Sequence, residues 1–187
     1  MKKAFTLAEM LIVIAIIGVV AALVMPSLMA NYQNRVLMTQ LKKSYAEISQ
    51  AGLLAIAQED GGTFKSTKSY RQGNFLNKYF KKTKSCSNDN ISDCIGESYV
   101  DSDGNDFNAI EKILVKNKIN KCIKAKTGYT FCLCDGYPMA FLDVNGQKGP
   151  NQVGKDAFTV LIANDGSIDD SYDVNLKKIV ENDWEIE

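Results

Sequence analysis

The sequence predicts an α+β protein: a long N-terminal helix, apolar along its first half, packed through its second half on a small antiparallel sheet. Three observations carry this. Residues 5–30, FTLAEMLIVIAIIGVVAALVMPSLMA, hold no polar side chain from Met10 to Met25, and with their flanks supply about 20 predominantly apolar residues, enough to cross a bilayer as a helix. Residues 31–58 keep helical periodicity but become striped, with Leu37, Leu41, Tyr45 and Ile48 on one face and Arg35, Lys42, Lys43 and Glu47 elsewhere. The C-terminal third carries short β-rich runs separated by turn residues.

The apolar segment begins unusually. Lys2 and Lys3 stand on a very short leader, and Glu9 lies inside the apolar block. An ionisable group at membrane depth is costly and normally has a partner. A cut between Ala4 and Phe5 would create one, the Phe5 amine. Residues four apart are neighbours on one helix, so an internal pair is possible. Four residues rise about 6 Å, so a parallel helix displaced by that amount would bring its own Phe5 amine to Glu9. Such pairing neutralises both charges and sets a stagger between side-by-side helices. A conventional signal peptide cut after Leu28-Met29-Ala30, or a plain single-pass anchor, gives Glu9 no purpose.

The run KKAFTLAEMLIVIAIIGVVAALVMPSL resembles the N-terminal signal of type IV pilins and type II secretion pseudopilins. That family has a short basic leader, a small residue at the cut, Phe next, and Glu at the fifth mature position. Phe5 and Glu9 match, Ala4 replaces the usual Gly, and Pro26 matches the family's helix-kinking proline. The resemblance is specific over residues 1–30 and looser to about Ala57. It implies a pilin-like fold, removal of residues 1–4 by a prepilin peptidase and N-methylation of Phe5. It also implies assembly with copies of itself and other pilins through inner-membrane machinery, with the C-terminal domain outside the cytoplasm. The domains expected are a leader at 1–4, a transmembrane half-helix at 5–30, an amphipathic half-helix at 31–58 and a globular domain at 59–187. The class expected is a filament subunit without catalysis. The alternative is a membrane-anchored binding module, an adhesin or a DNA-uptake minor pilin.

Composition narrows the rest. With 187 residues the chain is one domain's worth. Basic and acidic residues number 22 each, and loss of Lys2 and Lys3 would leave 20 against 22, no footprint for nucleic acid. There is no His, which removes His-based triads, metal sites and pH switches. All five cysteines follow the membrane segment. The two lysines favour a cytoplasmic N-terminus, which sends these cysteines where disulfides persist. Cys86 and Cys94 could close a small loop; Cys122 could pair with Cys132 or Cys134, leaving one thiol. Zinc is weakly supported by C-x-C without His.

Along the chain, Pro26 should kink the first helix, which from Phe5 to Ala57 would run about 80 Å. Glu59-Asp60-Gly61-Gly62 should end it. Residues 63–85 are basic, with Phe75, Leu76, Tyr79 and Phe80 at the spacing of a short helix; alternation with aromatics is read as a solvated, charge-segregated face beside the acidic segment that follows. Asp101, Asp103, Asn105 and Asp106 resemble the start of an EF-hand loop, but Lys112 stands where the distal Glu belongs, so an acidic turn is expected. Residues 109–119 are open between helix and strand. Tyr129 to Cys134 and Met139 to Val144 read as a hairpin about Asp135-Gly136-Tyr137-Pro138, followed by a strand from Phe158 to Ala163, a turn at Asn164-Asp165-Gly166 and a return strand. Trp184 is expected to anchor the tail.

Residues 143–156 contain Gly149, Gly154 and Lys155 at phosphate-loop spacing, but Asp156 occupies the Ser/Thr position and a strand follows, so that motif is rejected. Asp143, Asn145, Asn151 and Asp156 instead offer hard oxygen ligands suited to Ca²⁺. Major pseudopilins hold a similar glycine-rich loop with calcium, so the resemblance adds to this reading. No other cofactor is expected. The family's type IVa pilins usually close their C-terminal region with a disulfide; here the last cysteine is Cys134, which leans toward a pseudopilin.

Overall fold

The computed structural model describes residues 6–107, 119–134 and 136–184, so the leader, Phe5, most of the 109–119 segment, Lys112 and Asp135 lie outside it. The chain divides into two compact units, residues 1–36 and 37–187.

Helix α1, Leu7–Glu59, crosses both. In the first unit its apolar side chains are exposed, Leu11, Ile14, Ile17 and Leu23 among them. It continues through Pro26. It is long and apolar enough to span a bilayer. In the second unit Leu37, Leu41 and Ile48 of the expected stripe are buried and Tyr45 is half-buried, and Ser44, Ala51 and Ala55 are buried beside them. The helix ends at Glu59, as the following glycines dictate.

The basic stretch forms a 3₁₀ turn, Phe64–Ser66, and two short helices, α2 (Lys68–Arg71) and α3 (Phe75–Tyr79). Among the described residues eight strands follow: β1 (Lys82–Ser87), β2 (Tyr99–Val100), β3 (Asp106–Phe107), β4 (Ile119–Ala125), β5 (Thr130–Cys134), β6 (Met139–Asp143), β7 (Ala157–Ile162) and β8 (Ile168–Asp169). Six make one sheet in the order β1-β4-β5-β6-β7-β8, every described pairing antiparallel; β2 and β3 pair separately. A last helix, α4 (Val174–Glu181), begins at Asp173, whose carboxylate accepts from the Asn175 and Leu176 N–H groups.

The two-residue period of the strands sorts the core into two layers. Ile123, Phe131, Leu133, Ala140, Leu142, Phe158 and Val160 pack with the α1 stripe. Cys122, Cys132, Cys134, Met139 and Phe141 point to the other face, under Ile95 and Tyr99. Both faces are therefore covered, which is why β5 and β6 are buried at every position. Trp184 packs edge-on against Tyr45 at 5.2 Å, as expected of a tail anchor.

Two disulfides join Cys86 to Cys94 and Cys122 to Cys132. Cys86 and Cys122 face each other across β1 and β4, and Cys122 and Cys132 across β4 and β5. With four thiols consumed, no thiolate set remains for zinc. Cys134 is free and buried, and burial pushes its thiol up to about 12.

Candidate functional site

At the N-terminus Thr6 and Glu9 form a reciprocal capping box. The Thr6 N–H and hydroxyl both donate to Glu9 Oε2 at 2.8 Å, and the Glu9 N–H donates to Thr6 Oγ1 at 3.3 Å. The carboxylate thus has a task within its own helix that the sequence reading did not assign, although Thr6-x-x-Glu9 is the signature of such a cap. Both contacts fall on Oε2; Oε1 accepts no bond among the described residues. Ala4 and Phe5 lie outside the described residues, so the Phe5–Glu9 pair has no geometry here.

The second site is the loop between β6 and β7. Asp143 closes β6 on the sheet face away from α1, and Asp156 immediately precedes β7; both are fully buried. Asp143 Oδ2 accepts from the Tyr99 hydroxyl at 2.6 Å, and Oδ1 from the Asn145 N–H at 3.3 Å. Asp156 gathers the loop: Oδ1 accepts from the Gln152 N–H at 2.6 Å, Oδ2 from the Asn151 N–H at 2.9 Å and from Asn145 Nδ2 at 3.2 Å. Asn145 Nδ2 also donates to the Gly149 carbonyl at 3.0 Å. Asn151 sits at φ 52°, a left-handed conformation that asparagine tolerates.

The electrostatics are unbalanced. Burial first, then the Asp156 charge, pushes Asp143 up to about 7 against the pull of its hydrogen bonds. Burial also raises Asp156. The Tyr99 phenol is raised by burial and by the Asp143 charge, so it stays a donor. Asn145 Oδ1 and Asn151 Oδ1 are buried without a hydrogen-bond partner among the described residues. Two buried carboxylates and two orphaned amide oxygens in one loop are the oxygen donors a Ca²⁺ takes. The four residues singled out from the sequence do come together. Among the described residues no three acidic or cysteine side chains converge, so the amide oxygens are essential to any such site. Tyr99 and Gln152 were missed; Tyr99 lies 44 residues before Asp143, and no local signal links them.

The EF-hand-like segment is a self-closed turn, in which Asp101 Oδ1 accepts from the Asp103 and Asn105 N–H groups at 2.9 Å each.

Residues 1–25 match the family model described as the prokaryotic N-terminal methylation motif, the prepilin signal of type IV pilins and pseudopilins. With the apolar first half of α1, the motif fits membrane anchoring and points to a structural subunit rather than an enzyme. No curated protein and no solved structure matches the chain.

Proposed function

We propose that this chain is the structural subunit of a type IV pilus-like filament, cut between Ala4 and Phe5 and polymerised through the first half of α1. The observation that carries this is the methylation motif over residues 1–25, continuous with the apolar first half of α1, residues 7–30, whose one carboxylate is Glu9. In this reading Glu9 keeps its cap through Oε2 and offers Oε1 to the Phe5 amine of a neighbouring subunit. Other pilins, the prepilin peptidase and inner-membrane assembly machinery are its partners. The globular domain lies outside the cytoplasm, where both disulfides persist. Cystine bridges confined to residues 86–132 support a type II secretion pseudopilin over a type IV pilin.

Glu9→Leu tests the core of this reading. The segment becomes more apolar, so membrane insertion is retained. Breaking a buried charge pair by removing one side costs about 3–5 kcal/mol, repeated at every subunit contact. Sheared filaments should vanish while the chain accumulates in the membrane; normal filaments from the variant would overturn the proposal.

Asp143, Asn145, Asn151 and Asp156 are proposed to hold Ca²⁺. Bound there, the ion would supply positive charge to two buried carboxylates and fasten the β6–β7 loop. Millimolar Ca²⁺ should raise the melting temperature of the detergent-solubilised chain, and Asp156→Ala should abolish the rise. An unchanged wild-type melting temperature would remove the site.

A further inference from the structure

The strand order separates charge. On the β1 side of the six-stranded sheet, Lys81 leads into the edge strand, Lys82 opens it, and Lys126 follows β4, its N–H bonded to the Lys81 carbonyl. On the β8 side, Asp165 stands in the turn before the opposite edge strand, Asp169 ends it and Asp170 follows. All six side chains are exposed or half-exposed, and none makes an ion pair among the described residues. Of the opposite charges nearby, Asp93 pairs with Lys84 at 2.8 Å and Glu47 accepts from the Thr127 hydroxyl at 3.2 Å on the first side, and Lys177 pairs with Glu181 at 3.7 Å on the second.

The two edges are five strand spacings apart, about 24 Å. That exceeds the Debye length of about 8 Å at physiological salt, so they cannot neutralise each other within one molecule. In sign, the complement of each edge is the other. Two different patches that fit each other make a head-to-tail contact, which propagates as an open helical array when its rotation does not close.

We propose that the lysine edge at β1 docks against the aspartate edge at β8 of a second copy of this chain, and that this contact fixes the lateral order of globular domains in the filament. The proposal rests on the filament reading and adds a second, solvent-side contact to the one made by α1.

Zero-length carbodiimide coupling of the full chain in cell envelopes tests it, because an amide forms only where an amine already touches a carboxylate. Peptide mapping should find Lys81, Lys82 or Lys126 joined to Asp165, Asp169 or Asp170. At about 24 Å such a link cannot form within a subunit. The linkages should be lost in Lys81→Glu/Lys82→Glu. Filament yield should fall in that variant and in Asp169→Lys/Asp170→Lys, and return when both pairs are reversed on one chain. Sheared filaments whose linkages lie elsewhere, or whose yield ignores the reversals, overturn this contact and leave the filament reading standing. Failure of the wild-type chain to form sheared filaments overturns both.

Discussion

Glu59 and Asp143 are enclosed carboxylates with opposite acid behaviour. Burial opposes the charge on Glu59, but Lys78 Nζ at 2.6 Å, the Ser69 N–H at 2.7 Å and the Tyr79 hydroxyl at 2.9 Å outweigh it and hold its carboxyl at about 2. Its stabilisation is complete above the ordinary glutamate value of about 4.3 and is lost as pH falls toward 2. Glu59→Gln should therefore lower the melting temperature at pH 7 and flatten its decline in acid. Asp143 runs the other way. Unfolded, it loses its proton near 3.9; folded, it keeps it to about 7. Between those values the native state binds the extra proton, so this group's contribution to stability falls as pH rises. Asp143→Asn should raise the melting temperature at pH 7 in chelator and leave pH 4 nearly unchanged. A fall at pH 7 without calcium would show that ionised Asp143 is favourably held.

At the scale of elements, α1 meets the β7–β8 turn at two glycines. A Cβ on Gly52 would overlap the Gly166 carbonyl oxygen, and Gly166 itself lies at φ 86°, where a side chain is strained. Gly52→Ala should cost at least about 2 kcal/mol, read as a loss of melting temperature, while Gln50→Ala on the exposed face should cost little. The elements legible in the sequence had their ends marked. Asp165-Gly166 delimits β7 from β8, and Gly61-Gly62 stops α1. β1, KTKSCS, was hidden because an edge strand exposes polar residues and needs no apolar alternation. β4 was hidden in a run of lysines whose stems flank one buried residue after another. In α4, Leu176, Ile179 and Val180 follow the Asp173 cap at helical spacing, a signal present in the sequence and not read.

For the whole molecule, the anchor and the globular unit were legible to different depths. Membrane-length apolarity and one carboxylate are local, so residues 6–30 read directly. The loop's four oxygen residues also lie in one stretch. Their Tyr99 partner depends on which segments the fold brings together, and the choice of Cys132 over Cys134 for Cys122 on the register of β4 against β5, and no local pattern encodes either. The cystines cross-link β1 to its following turn and β4 to β5. Reduction should lower the melting temperature by several degrees, from about 2–4 kcal/mol per bridge. Denatured, unreduced chain should give one titratable thiol.

That remaining thiol is a clock. Cys134 sits in the middle of the sheet, 2% exposed, so a thiol reagent reaches it only when β5 lets go of its neighbours. Its rate of labelling at fixed pH is then the frequency of that opening weighted by how long it lasts. Timed in free subunits and again in assembled ones, the same atom measures how much a neighbour slows the breathing of the domain it touches.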